Sequence, residues 1–309
     1  MEIKVIRAGM LTTVQDLGRR GHLSDGVPNG GAADPFALRV ANLLVGNAEG
    51  AAGLEITLTG PELEFSEAAW VAVGGARFAG VPAWRPMRVP AGGRLKFGRR
   101  TQGCRAYLAV GGGLEAETFL GSRGTCLAAA AGGFQGRALR DGDLLRSAPS
   151  ALEPTGHWSI DERLLPAYAA NATVRVMPGQ RAADFGGALF TARFAVNPHS
   201  DRMGIRLEGR PLGRRSGLEL LSSAVAPGTI QVPPDGNPIV LLADAQTLGG
   251  YPCVAHAAGV DLPLLAQLSP GDSVLFVPCT LAEAHALAAA QEHGLALLRQ
   301  GLAEKFHAP

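Results

Sequence analysis

Lysine is scarce in this sequence. Only Lys4, Lys96 and Lys305 occur among 309 residues, and the other 25 basic residues are arginines. The shortage removes several mechanisms. A P-loop needs Gly-Lys-Ser/Thr, because its lysine reaches the terminal phosphates, whereas the three lysines here are followed by Val5, Phe97 and Phe306. A class A β-lactamase motif needs a lysine three residues after a serine, and a biotin carrier needs a Met-Lys turn; neither is present. A Schiff-base lysine has only three positions to occupy, two of them near the chain ends. Cysteine is sparse as well. Cys104, Cys126, Cys253 and Cys279 form no Cys-x-x-Cys pair, and none of the seven histidines stands at metal-ligand spacing. These cysteines read as small buried hydrophobes in a reducing cytosol, and no metal site is expected. No run of about 18 apolar residues occurs, and Met1–Arg7 lacks an apolar signal region. The expectation is a cytoplasmic protein with no membrane partner. A net charge of +1, from 28 basic and 27 acidic residues, lacks the basic stripe of a nucleic-acid binder.

Glycine and proline, by contrast, are plentiful. Together they make up 63 of the 309 residues, about a fifth, which stays below the roughly 25–30 % that suggests disorder. With 47% apolar residues, the chain reads as folded and turn-rich, favouring short strands over long helices. At roughly 150 residues per domain, the length fits two domains. Strands are expected at Ile3–Ile6, Leu54–Leu58, Leu63–Phe65, Trp70–Val73, Arg94–Phe97 and Tyr107–Val110, with a turn or bulge at Gly74-Gly75. In the second half they are expected at Val174–Val176, Phe194–Val196, Ile205–Leu207, Ile230–Val232 and Ile239–Leu242. Asp34-Pro35 reads as a helix start, with Asp34 as N-cap and Pro35 at the first helical position, and Gly46-Asn47 as its stop. Asp261–Leu268 reads as a short helix. Thr280 and Glu283 form a capping box before a long terminal helix, Leu281–Phe306. Its stripe runs through Ala284, Ala288, Gln291, Leu295, Leu298 and Leu302, with Gly294 as a weak point. Ser147–Gly156 is the best linker. A glycine turn before an alternating strand recurs at Ala91–Phe97, Asp141–Leu145 and Pro270–Phe276, a hint of two similar β-rich halves.

Four stretches use residues that a plain β core does not require. Thr13–Arg19, running on to Gly30–Asp34, reads as a surface loop; its Asp16 and Asp34 either serve a site or simply cap local N–H groups. In Ser200–Leu207, Arg202 can fork onto a carboxylate or pair with Asp201 to fix a turn. In Gln231–Pro238, Pro234-Asp235-Gly236 is a turn signal, while the Gln231 amide can both donate to and accept from a polar ligand. Asp244–Pro252 follows an apolar strand with a carboxylate, an amide, a hydroxyl and two glycines. It is the stretch where chemistry is most expected, since glycines let backbone N–H groups approach an oxyanion; a structural hairpin is the alternative.

At these stretches the chain resembles the family of C-type 5-oxoprolinase subunits, also called the biotin-dependent carboxyltransferase or allophanate hydrolase subunit 2 family. The residues that carry the resemblance are Gln15–Arg19, Ala41–Asn47, Ser200–Gly204, Gln231–Gly236 and Asp244–Pro252, in order along nearly the whole chain. Three motifs depart from the family pattern. Gly31-Ala32-Ala33-Asp34 stands where Gly-Ala-Met-Asp is usual, Gly121-Ser122-Arg123-Gly124-Thr125 where Gly-Ser-Arg-Ser-Thr is, and Met177-Pro178-Gly179 where an early Gly-Pro is common. The resemblance implies a mainly β protein with a few helices, built as two tandem cyclophilin-like β-barrel domains, here 1–150 and 157–309. It implies the C-type subunit of an ATP-dependent 5-oxoprolinase, which opens 5-oxoproline to L-glutamate together with an A-type subunit and a kinase-inhibitor-like B-type subunit. One alternative is a biotin-dependent carboxyltransferase acting on urea or a related amide. Another is a non-catalytic regulator that binds a kinase-inhibitor-like partner of the B type. On this reading Asp244, Gln246 and Arg202 carry the chemistry, with Arg202 holding a carboxyl or ureido group and Asp244 orienting groups or acting as base. Gln231, Thr247, Gly249, Gly250, Tyr251, Asp16 and Asp34 bind substrate. ATP enters at the level of the complex, and biotin only under the carboxyltransferase alternative.

Overall fold

The computed structural model describes residues 1–150, 158–215 and 220–306. Most of the expected linker, from 151 to 156, lies outside them. The chain divides into two compact units. The first comprises Met1–Arg19, Gly30–Leu165 and Glu292–Pro309, and the second Arg20–Asn29 and Pro166–Gln291. Strands dominate both. No described helix is long and apolar enough to cross a membrane.

The first unit holds strands β1 (Glu2–Arg7), β2 (Leu11–Gln15), β3 (Gly53–Thr57), β4 (Glu62–Phe65), β5 (Ala69–Phe78), β6 (Pro86–Val89), β7 (Arg94–Lys96), β8 (Arg100–Val110), β9 (Leu114–Glu115) and β10 (Leu144–Ser147). They form two five-stranded sheets, β7-β4-β1-β10-β9 and β2-β3-β8-β5-β6. Alternation drives this arrangement. In β1, Ile3 and Val5 point into the core while Glu2 and Lys4 face water. The core continues through Ile56, Phe65, Val71 and Leu108. Gly75 sits at a register shift in β5 at φ +81, so the expected bulge is real. Helix α1 (Pro35–Leu44) starts as expected: the Asp34 carboxylate accepts the Ala37 N–H at 2.9 Å, and Pro35 occupies the first turn. The helix packs close to β5, where a methyl at Gly74 would lie 2.5 Å from the Ala37 carbonyl oxygen.

One expectation fails here. Thr13–Arg19 is not a surface loop throughout. Thr13, Val14 and Gln15 lie in β2, and Thr13, Gln15, Asp16 and Arg19 are all buried. Much of their polarity finds partners inside: the Arg19 guanidinium donates to the Gly124 carbonyl at 2.6 Å and covers the Phe119 ring. Polar side chains that find partners in the interior can be buried, so polarity alone misplaced this strand.

The second unit holds β11 (Asn171–Pro178), β12 (Phe194–Val196), β13 (Gly204–Glu208), β14 (Ser223–Ala224), β15 (Thr229–Gln231), β16 (Ile239–Leu241), β17 (Leu248–Gly249), β18 (Cys253–Ala257) and β19 (Ser273–Pro278), with the short helix α2 (Leu262–Ala266). Seven strands close a barrel in the order β11-β18-β15-β16-β13-β12-β19, sealed by parallel pairing of β11 with β19. Closure leaves no free sheet edge. Val174, Ile230, Phe194 and Phe276 fill the interior, with the two rings 6.2 Å apart. β14 and β17 pair separately, outside the barrel.

Helix α3 (Leu281–Phe306) begins with the expected capping box: Thr280 accepts the Glu283 N–H at 3.2 Å, and Glu283 accepts the Thr280 N–H at 2.7 Å. From Glu292 onward it belongs to the first unit. Of the expected stripe, Ala284, Leu295 and Leu302 are buried and Ala288 is exposed. Gly294, a weak point for helix propensity, is a contact point: a methyl there would meet Leu164 at 3.0 Å. Arg39 on α1 joins α3 through a fork onto Glu292, 2.7 Å at its nearer-normal arm, and also pairs with Glu49 at 2.6 Å.

Candidate functional site

The residues singled out in the second unit fall into two groups. The turn before β13 and the loop after β16 bring Arg202 and Asp244 together. Arg202 Nε lies 2.8 Å from Asp244 Oδ2 and Arg202 Nη2 lies 2.9 Å from Asp244 Oδ1, a planar fork-on-carboxylate pair. The Arg202 side chain is 4% exposed and that of Asp244 16%. The Asp244 N–H also donates to the Arg202 carbonyl at 3.0 Å. Each of these side chains therefore has the other as its ionic partner, and neither borders the cleft described next. Asp201 accepts the Met203 N–H at 2.8 Å and the Gly204 N–H at 3.2 Å.

The second group borders a cleft of about 780 Å³ on the barrel. Gln231, Gln246 and Tyr251 line it, together with Arg206 from β13. The Gln231 amide donates to the Tyr251 carbonyl at 3.1 Å, which ties the strand to the loop. Gly249 is needed by packing: its φ is ordinary, but a methyl there would lie 2.5 Å from Gln231 Nε2. Tyr251 and Gly250 also border a second hollow of about 510 Å³ with Leu212 and Arg214. Thr247 lies outside both hollows and offers its backbone carbonyl to the Val225 N–H at 3.0 Å.

Three carboxylates face the cleft, and each has a local task. Asp201 holds its own turn, Glu208 accepts from the Asn197 amide, and Asp235 accepts the Asn237 N–H at 3.0 Å. Arg206 is exposed and makes no ion pair among the described residues. Arginine picked at 202 by motif is thus internal, while the arginine four residues on is available to a ligand. Alternation would have found it. Gly204-Ile205-Arg206-Leu207 puts Ile205 and Leu207 into the barrel and Arg206 outward.

In the first unit, Asp16 is an organiser of the loop that follows β9. It accepts the Gly18 N–H at 2.8 Å, the Ser122 hydroxyl at 2.6 Å and the Arg123 N–H at 2.6 Å. Gly124 completes this packing: a methyl there would lie 2.8 Å from Gln15 Oε1, itself buried without a hydrogen bond. The glycine is one of the motif departures noted above. Asp34 is fully buried at the head of α1. Its N–H donates to Tyr107 Oη at 2.8 Å, and that hydroxyl donates to Glu55 Oε2 at 2.8 Å, which also accepts the Ala33 N–H at 2.9 Å. Burial, then the Glu55 charge, push the Tyr107 phenol well above its usual value, so it remains a hydrogen-bond donor. Sequence reasoning missed Glu55 and Tyr107 because both sit mid-strand in otherwise apolar runs. Among the described residues, no three His, Cys, Asp or Glu side chains come together as metal ligands.

A mostly β chain of two units, with a polar cleft on a closed barrel, is the class that fold and site define. The chain belongs to the carboxyltransferase domain family, subdomain A and B, whose model matches residues 25–278. It is 41% identical over 292 residues to the C-type subunit of 5-oxoprolinase from Escherichia coli (strain K12), covering 91% of this chain and 93% of that protein. It is 37% identical over 297 residues to a putative urea carboxylase of Emericella nidulans, covering 89% of this chain but only 24% of that protein. The crystal structure of the Kluyveromyces lactis urea carboxylase superposes with a TM-score of 0.89 at 31% identity, over 97% of this chain and 29% of that one.

Proposed function

We propose that this chain is the C-type component of an ATP-dependent 5-oxoprolinase, acting with its A-type and B-type counterparts to open 5-oxoproline to L-glutamate. The observation that carries the reading is similarity: the Escherichia coli C-type protein is 41% identical over 91% of this chain, against 37% over 89% for the urea carboxylase. The cleft chemistry supports it. 5-Oxoproline presents one carboxylate and one lactam. Arg206 supplies a fork for the carboxylate, and the Gln231 and Gln246 amides can meet the lactam carbonyl and N–H. Arg202 and Asp244 act as positioning residues, fixing β13 against the loop that carries Gln246. A triphosphate does not fit this cleft, which sets three carboxylates against one arginine in a unit without lysine. ATP is therefore assigned to the complex and not to this cleft.

The test is glutamate release by the three co-purified components. Omitting this chain should abolish release, and full activity without it would overturn the assignment. Arg206→Gln in the complex should raise KM for 5-oxoproline by about 10–100-fold, since charged hydrogen bonds are worth ~1.5–3 kcal/mol. A companion change, Gly249→Ala, should cost about as much by displacing the Gln231 amide, because misplacement by about 1 Å can lose a hundredfold.

A biotin-dependent carboxyltransferase acting on urea or a related amide is the second reading. It is favoured by the family description and by the superposition on the urea carboxylase. The same two amides suit the ureido group of biotin. Carboxyl transfer to urea from added carboxybiotin carrier, without 5-oxoproline turnover, would select it.

A further inference from the structure

Cys253 and His256 lie three residues apart on β18, a spacing that puts side chains on opposite faces of a regular strand. Here the strand is bulged. Ile230 of β15 pairs with Ala255, but the next residue, Gln231, pairs with Cys253, so β18 carries one extra residue at Val254. The bulge turns Cys253 and His256 to the same side. Cys253 Sγ lies 3.3 Å from His256 Nε2, and His256 Nδ1 lies 3.3 Å from the Thr229 hydroxyl on β15. Thr229 is itself held by the Ala226 N–H at 3.2 Å. The Ala255 carbonyl offers the thiol a second, longer contact at 3.6 Å. Beside the sulfur stands Gly179, where a methyl would lie only 2.8 Å away, so that flank carries no side chain.

Nothing in the proposed 5-oxoproline site uses this thiol, imidazole and hydroxyl. Both Cys253 and His256 are partly exposed. The remaining cysteines are placed differently. Cys104 and Cys126 are buried. Cys279 is partly exposed, but burial and the Glu283 charge raise its thiol, and no imidazole neighbours it among the described residues.

We propose that Cys253 is a thiol-modification site that takes small-molecule disulfides of the glutathione type, with His256 as its general base. Cys253 Sγ attacks one sulfur of the disulfide as His256 Nε2 accepts the thiol proton. A protein–glutathione S–S bond forms, the original S–S bond breaks, and the departing thiolate takes the proton from His256. Cys253 is oxidised to the mixed disulfide and half of the reagent is reduced to free thiol. Burial holds the thiol above its usual value and the imidazole below its own. The pair therefore rests neutral near pH 7, with an unprotonated ring nitrogen ready to receive the proton. Thr229 accepts from Nδ1–H and fixes the tautomer that leaves Nε2 free, the orienting role that a third group plays in such arrangements.

The experiment is incubation of the full chain with oxidised glutathione, followed by peptide mass spectrometry of each cysteine over time. Cys253 should gain glutathione at least about tenfold faster than Cys279, while Cys104 and Cys126 stay unmodified. His256→Gln should slow Cys253 by about a hundredfold, the scale of general-base assistance, and leave Cys279 unchanged. Thr229→Val should slow Cys253 by a smaller factor. Equal rates at Cys253 and Cys279 in the parent protein would overturn the proposal, as would an unchanged Cys253 rate in a folded His256→Gln variant. If that variant makes Cys104 and Cys126 reactive it has lost its fold, and the comparison of Cys253 with Cys279 in the parent protein decides alone.

Discussion

Asp244→Ala is expected to destabilise the second unit by about 3–5 kcal/mol, the cost of breaking a buried ion pair by removing one member. Arg202 would remain, its side chain 4% exposed in the parent protein, with the Asp244 carboxylate gone from its fork. Urea unfolding followed by a signal from the second unit measures the loss. The reversal is equally specific. Exchanging both residues for apolar ones of similar size, Arg202→Met with Asp244→Leu, should recover most of the stability, because buried ion pairs are often no better than a packed apolar pair. Glutamate release by the complex separates position from chemistry. If Asp244→Ala kills turnover while leaving the unfolding midpoint in place, Asp244 acts on the substrate and the positioning role is wrong.

Glu55→Ala carries a comparable cost in the first unit, about 3–5 kcal/mol. Glu55 is 1% exposed and its carboxylate serves the Ala33 N–H, the Tyr107 hydroxyl and, at 3.8 Å, the Arg105 guanidinium. Removing it strips acceptors from several interior donors at once, and each unmet donor costs about 1–3 kcal/mol. Tyr107→Phe should cost less, about 1–2 kcal/mol, since it removes one hydroxyl and leaves the carboxylate in place. The contrast is read by urea unfolding of the two variants side by side. A loss below about 1 kcal/mol for Glu55→Ala would mean that the network does not hold the head of α1.

These two expectations rest on features that the sequence showed unequally. Local chemistry was legible. Asp34-Pro35 and Thr280 with Glu283 mark the starts of α1 and α3 because an N-cap acts on N–H groups two or three residues away. Alternating strands such as β1, β13 and β19 were legible for the same reason: their faces are written at period two. What escaped was whatever depends on a partner distant in the chain. Thr13 to Arg19 looked like a surface loop because its hydrogen-bond partners, Thr125 and Gly124, come more than a hundred residues later. Arg202 and Arg206 were indistinguishable as residue types, and the fork onto Asp244, 42 positions on, shows that Arg202 is internally paired. The bulge at Val254 has no glycine to announce it, so the Cys253–His256 contact could not be read from a three-residue spacing. The resemblance to a family pointed to stretches of which Gln231, Gln246 and Tyr251 line the barrel cleft, while Arg202 and Asp244 pair with each other.

The first unit is assembled from three separate segments, the last of which starts at Glu292, whereas the second is complete by Gln291. On a ribosome the order of completion is therefore the reverse of the order of initiation. Domains generally mature from the N-terminus as they emerge, but here β1 to β10 are made long before the last half of α3, which emerges only after the barrel has all its strands. An unfinished chain stalled before Glu292 would carry a finished barrel and an open first unit, with Arg39 and Glu49 still lacking the helix they bind. Emergence of Glu292 to Phe306 is what supplies Arg39 and Glu49 with their helical partners.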